Sequence, residues 1–142
     1  MKKLVVIGSG IAGLIAAVEG SRTHEVVLVT KSTLSESNTH YAQGGIAAVV
    51  ADDDSIAEHV ADTLSAGADY CYDPAVQVLC EEGPQRINDL VRFGVDFDKK
   101  GAAFALGMEA AHSHARILHA GGDTTGADIS RALVETLRAT AT

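Results

Sequence analysis

Leu4-Val5-Val6-Ile7-Gly8-Ser9-Gly10-Ile11-Ala12-Gly13-Leu14-Ile15-Ala16-Ala17-Val18 is the stretch whose reading decides the fold class. Leu4 to Ile7 is a continuous apolar, β-branched run of the kind found in a parallel strand buried on both faces. Leu14 to Val18 is small and apolar enough for a helix lying on a sheet, and Glu25-Val26-Val27-Leu28-Val29 reads as a second buried strand. Strand, glycine turn, helix and strand make a βαβ unit, so the expected class is α/β and Rossmann-like. In the Gly8-Ser9-Gly10-Ile11-Ala12-Gly13 turn, Gly8 permits the sharp exit from the strand. Gly10 lets a pyrophosphate approach the backbone, and Gly13 lets the helix pack closely. The helix amino terminus then offers its free N–H groups to phosphate. The acidic residue usually found about 20 positions on, which holds a ribose hydroxyl, is missing. Thr30 and Lys31 end the second strand instead: the threonine hydroxyl can bond a ribose, and the lysine adds positive charge on the adenosine or phosphate side.

Outward from this unit, composition sets bounds. The chain has 142 residues, 46% of them hydrophobic and 21% charged, enough for one core. A formal charge of -8 disfavours nucleic acid and anionic membranes as partners, leaving a small soluble ligand. No apolar run reaches the roughly 18 residues of a membrane span, and Met1-Lys2-Lys3-Leu4 leads straight into a strand rather than a cleavable signal, so the cytoplasm is the expected location. Cys71 and Cys80 are too few for a disulfide scaffold and read as core-filling residues.

The middle of the chain reads as helical scaffold. Ser55 and Glu58 have capping-box spacing, and Ile56, Val60 and Leu64 repeat along one face of a helix that should end near Gly67. The acidic run Asp52-Asp53-Asp54 reads as solvated caps rather than a metal site. A second helix is expected after Asp73, with Pro74 in its first turn and Pro84 marking a kink or break before Ile87. Val95-Asp96-Phe97 and Ala103-Phe104-Ala105-Leu106 read as short strands joined by a turn at Lys99-Lys100-Gly101. From Thr125 a final helix carries Ile129, Leu133 and Leu137 on one face.

Two further segments carry chemistry. Ser37-Asn38-Thr39-His40-Tyr41-Ala42-Gln43-Gly44-Gly45-Ile46-Ala47 places adjacent glycines where backbone can come close to a ligand. Glu109-Ala110-Ala111-His112-Ser113-His114 runs on to Arg116-Ile117-Leu118-His119-Ala120 and Asp123-Thr124-Thr125-Gly126. Its histidines lack H-E-x-x-H spacing and an accompanying cysteine pair, so no metal is expected.

With these residues in place, the sequence resembles the flavoprotein family that contains fumarate reductase, the succinate dehydrogenase flavoprotein and L-aspartate oxidase. The shared positions are Thr30-Lys31, Thr39, Ala42-Gln43-Gly44-Gly45-Ile46-Ala47, Arg116, His119-Ala120, Asp123 and Thr125-Gly126. The resemblance implies a Rossmann-like FAD-binding domain, in which residues 38–45 wrap the flavin. Covalent members carry a flavin-linked histidine four residues before the alanine of the Ala-Gln-Gly-Gly motif. That position is Asn38, so FAD is expected to be non-covalent, with His40 a local contact. Glu109 marks the aspartate oxidase branch. Aspartate is succinate bearing an ammonium, and a glutamate can orient that group.

The activity thus implied is oxidation of L-aspartate to iminoaspartate with oxygen or fumarate as acceptor, in quinolinate and NAD biosynthesis, with a functional link to quinolinate synthase. Residues 1–142 would be the N-terminal part of the FAD-binding domain, incomplete at its C-terminus, with the substrate-capping and C-terminal helical domains outside this chain. A soluble fumarate reductase with non-covalent FAD, and a non-catalytic or truncated nucleotide-binding module, are the alternatives. Glu109 ahead of His112-Ser113-His114 favours the aspartate branch.

Overall fold

The computed structural model describes residues 1–140. β1 (Lys2–Ile7), α1 (Ile11–Gly20) and β2 (His24–Val29) form the expected βαβ unit, with the strands parallel and Val5 opposite Val27. Alternate residues, however, behave differently from the expectation of strands buried on both faces. Leu4, Val6, Val26 and Leu28 turn towards α1 and the core, whereas Val5, Ile7, Val27 and Val29 are exposed on the other face, Ile7 at 85%. Two strands with one helix layer cover only one side of a sheet, so the apolar run is continuous in sequence but split by the pleat.

After β2 a long irregular stretch leads to β3 (Ile46–Ala47), then α2 (Ile56–Ala66) and α3 (Asp73–Arg92). The Ser55 hydroxyl caps α2 by accepting from the Glu58 N–H at 3.2 Å and donates to the Glu58 carboxylate at 2.7 Å, and the helix ends at Gly67 as its sequence predicts. Ile56, Val60 and Leu64 are half-buried, and the buried residue of α2 is His59. Pro84 does not break α3, which runs through it. The backbone bond lost there is offset by burying Val76, Cys80, Ile87 and Leu90. Cys80 fills the core as expected, but Cys71 is only half-buried; both are free thiols.

Val95-Asp96-Phe97 is not a strand. Val95 and Phe97 are buried in the core, with the Val95 N–H bonded back to the Leu90 carbonyl at 3.0 Å, so this segment serves as the exit from α3. Lys99 and Lys100 are consequently strand rather than turn: β4 (Lys99–Lys100) pairs with β5 (Ala103–Phe104) around Gly101, whose φ of +68° suits glycine. The expected second strand also divides, because Leu106 and Gly107 form a separate β6 that pairs with β7 (Ile117–Leu118). β7 is the centre of a small antiparallel sheet, with β3 on one side and β6 on the other. α4 (Thr125–Thr140) then packs against α1 through Ile129, Ala132 and Leu133, closing a core that includes Leu14, Ile87, Leu90 and Leu118. The architecture is α/β and Rossmann-like, and the β3-β7-β6 sheet is what joins the two motif-bearing segments.

Candidate functional site

The glycine turn is built for an open backbone. Gly8 has φ +110°, a conformation costly for any residue with a β-carbon, and its N–H extends the parallel pairing by donating to the Val29 carbonyl at 2.8 Å. A β-carbon at Gly13 would collide with the Gly8 carbonyl, so that glycine serves the close packing of α1 on the turn. Gly10 differs from both: its φ of -72° is ordinary, and a β-carbon there would meet only the Thr39 hydroxyl at 3.5 Å. Gly10 offers no side-chain cap and no acidic residue lies in the first turn of α1, which suits that end of the helix to an anion. Ile11 and Ala12 are exposed there.

Residues far apart in sequence close around this turn. Buried Ser9 shares a hydrogen bond with Thr30 at 3.0 Å, fixing the end of β2 against the turn, while Lys31 is exposed beside it. The Thr39 hydroxyl accepts from the Ile11 N–H at 3.0 Å, which brings the second motif to the helix terminus. Around Thr39 the loop is held from both sides. His40 donates its N–H to Ser37 and stacks edge-on with Tyr41, whose hydroxyl donates to Glu36; that bond holds the phenol above its usual pKa. Gly126, at the start of α4, donates to the Ala42 carbonyl at 3.1 Å, and its missing side chain leaves room for the Thr39 and Ala42 carbonyls. Asn38, Tyr41, Ala42, Gln43 and Gly44 remain exposed, with nothing within 4 Å of a β-carbon at Gly44. An open glycine turn, a helix end without an acidic residue in its first turn and an exposed glycine loop at its mouth fit an extended dinucleotide carrying a pyrophosphate.

Glu109 stands across the small sheet from that loop. β7 lies between β3, which continues from Gly45, and β6, which leads to Glu109. Glu109 is exposed, and its carboxylate lies 3.6 Å from Nε2 of His119. The following turn places Ala111 at φ +71°, and alanine in the left-handed region costs on the order of 1 kcal/mol.

Asp54 is not a solvated cap: its side chain is buried and accepts from Arg116 Nε at 2.8 Å and Nη2 at 2.7 Å. Arg116 is fully buried, and its Nη1 donates to Asp62 at 2.6 Å and lies 3.2 Å from His112 Nδ1. Burial raises the Asp54 pKa, but the Arg116 and Ser55 N–H hydrogen bonds together outweigh it and hold the carboxyl below its ordinary value. Asp62 is held well below by the Ser113 N–H and hydroxyl, then by Arg116. His59, buried beside His112, is pushed down by burial and by the Arg116 charge, and its Nδ1 has no hydrogen-bond partner among the described residues. The sequence signal for this cluster was an arginine opening the apolar run Arg116-Ile117-Leu118. Asp54, Glu58 and His114 also bring ligand atoms within 4.8 Å of one another, but both Asp54 oxygens are engaged by Arg116.

Among curated proteins, the L-aspartate oxidase of Streptomyces coelicolor is 48% identical over 141 residues, covering 96% of this chain and 24% of its own length. That of Synechocystis is 50% identical over 134 residues, covering 94% and 23%. The chloroplastic L-aspartate oxidase of Arabidopsis thaliana is 47% identical over 131 residues, covering 92% and 20%. This chain therefore spans about a fifth to a quarter of the length of these relatives. Among solved structures, E. coli quinol fumarate reductase FrdA superposes with a TM-score of 0.88 at 26% identity, over 99% of this chain and 25% of that one. Mycobacterium smegmatis Sdh1 does so with 0.84 at 32% identity, over 96% and 24%. In sequence, residues 3–142 match the FAD binding domain family, and with the glycine turn, the open helix terminus and the glycine loop in their places the chain belongs to that family.

Proposed function

We propose that this chain is the cofactor-holding part of an L-aspartate oxidase, which converts L-aspartate to iminoaspartate with oxygen or fumarate as electron acceptor. The observation that carries this reading is the position of Glu109, one strand away from the Gly44-Gly45 loop across β7, where an anion can serve substrate selection beside the cofactor. Bound FAD supplies the two-electron redox chemistry, and the protein supplies binding and orientation. Gly8, Gly10 and the amino terminus of α1, with Ile11, Ala12 and Gly13, hold the pyrophosphate. Ser9, Thr30 and Lys31 serve the adenosine side, and Asn38, Thr39, His40, Tyr41, Ala42, Gln43, Gly44 and Gly45 serve the isoalloxazine side. Glu109 accepts from the substrate ammonium. The groups that grip the substrate carboxylates belong to substrate-capping and helical domains outside residues 1–142. On this reading the reaction is the cytoplasmic first step towards quinolinate and NAD, and quinolinate synthase consumes its product.

Glu109→Gln in the full-length protein tests the assignment, because it removes the charge and keeps the shape. A hydrogen bond to a charged group is worth about 1.5–3 kcal/mol, so kcat/KM for aspartate should fall by roughly 10- to 150-fold. Fumarate has no ammonium, and its reduction should be spared. Equal losses on both substrates would make Glu109 a structural residue and favour a fumarate reductase with non-covalent FAD.

Asn38 gives a second expectation. An asparagine cannot form the histidyl link, so acid or heat should release all of the flavin into the supernatant; yellow protein in the precipitate would refute non-covalent binding.

A further inference from the structure

Glu109 needs something to aim it, since it sits on an exposed turn after β6 and is itself exposed. The main chain at His119 is fixed: the residue follows β7, and its carbonyl accepts from the Asp98 N–H at 2.8 Å. Its ring lies in a slot left by two glycines. A β-carbon at Gly45 would strike Ile117 and the Leu118 carbonyl of β7 and come within 3.0 Å of Nε2, and one at Gly107 would come within 3.3 Å of Cε1. Gly45 belongs to the loop at the cofactor face and Gly107 to β6, so the imidazole lies across the small sheet from one candidate segment to the other. Asp98 lines the same cavity of about 370 Å³ as His119, but its two oxygens accept from the Gly121 and Gly122 N–H groups at 3.2 Å each. Glu109 is the acidic partner recorded for His119 among the described residues, at 3.6 Å from Nε2. That separation is longer than a hydrogen bond.

From this placement we propose that His119 is a positioning residue for substrate selection. It holds the Glu109 carboxylate towards the cofactor-side loop, so that Glu109 meets the ammonium of an amino-dicarboxylate and not merely solvent. The proposal rests on the reading of Glu109 as the ammonium contact. It also gives Gly107 a role, since the His119 ring is what a side chain there would meet first.

The test compares L-aspartate with succinate, which has the same carboxylates and no ammonium. Binding to the dithionite-reduced full-length holoenzyme, which cannot oxidise aspartate, separates affinity from turnover. His119→Leu should weaken aspartate binding and raise its KM by up to about five-fold, the scale of one partly exposed polar contact, with kcat, flavin content and succinate affinity unchanged. His119→Gln, which keeps an N–H near the Nε2 position, should stay within about two-fold of the parent. In a Glu109→Gln background, His119→Leu should add nothing. Additive losses, equal weakening of succinate, or loss of flavin in both His119 variants would overturn the proposal. If Glu109→Gln by itself leaves the aspartate-to-succinate ratio unchanged, the Glu109 reading fails and takes this one with it. If Glu109→Gln shifts the ratio and His119→Leu does not, only the role of His119 is lost.

Discussion

Gly10→Ala should leave the full-length protein folded and strip it of FAD. Glycine is required at a position for one of three reasons: the backbone conformation, a close protein neighbour, or a ligand. Gly8 answers to the first, with φ +110°, and Gly13 to the second, because a β-carbon there strikes the Gly8 carbonyl. Neither applies at Gly10. Its φ of -72° is open to any residue, and the single protein atom within reach of a β-carbon, the Thr39 hydroxyl, would stand at an ordinary contact distance of 3.5 Å. What remains is a ligand, which on the proposed reading is the pyrophosphate approaching the backbone to meet the α1 terminus. The flavin-to-protein ratio should therefore fall from near stoichiometric to a small fraction. The apo-protein should melt within a few degrees of wild-type apo-protein, since a change without new strain or cavity moves stability by only about 0.5 kcal/mol. Gly13→Ala is the contrasting control, expected to lose fold and flavin together. A Gly10→Ala protein that keeps its flavin would mean that this glycine does not face the cofactor.

Arg116→Met carries the largest expected loss of stability. The guanidinium is fully buried and shared between Asp54 and Asp62, and Asp54 is buried as well. Removing the cation leaves Asp54 as a charge inside the protein without compensation, a change that typically costs about 3–5 kcal/mol. Urea unfolding of the full-length protein and its variant should show that loss at neutral pH. The combination of Arg116→Met with Asp54→Asn should recover part of it, because no unpaired charge then remains. The pH dependence has a definite sign. Both carboxyls titrate below 3.8 in the folded state, so the unfolded chain binds protons first as pH falls. The contribution of the pair is complete above about pH 5 and is lost as the pH drops towards the folded-state values, so the gap between wild type and variant should narrow in acid. A loss below about 1 kcal/mol at neutral pH would show that water or a rearranged partner takes over the role of Arg116.

The Arg116 cluster also marks where sequence reading stops. Asp54 and Arg116 are 62 positions apart, and nothing in Asp52-Asp53-Asp54 distinguishes the buried carboxylate from the two exposed ones. The run was legible as a helix cap, and Ser55 does cap α2, but the residue before the cap turned inward because an arginine opening β7 needed an anion there. Lys99 and Lys100 show the same limit at shorter range. With Gly101 they read as the turn between two short strands, whereas burial of Val95 and Phe97 uses the preceding residues to leave α3 and moves the hairpin along the chain.

By itself the sequence determined what depends on neighbours along the chain: the βαβ order, the glycine turn, the cap at Ser55, the helix end at Gly67 and the apolar face of α4. Each follows from backbone geometry and side-chain period within a few residues, which no distant contact needs to supply. Only the tertiary structure decided which face of β1 and β2 is covered, which acidic residue answers Arg116, and that Gly45, Gly107 and Glu109 meet at His119. Those outcomes depend on two-residue strands pairing around β7, with β3 reaching it from far along the chain. Such short strands have almost no period of their own, and their register comes from the core and the buried charges they close over.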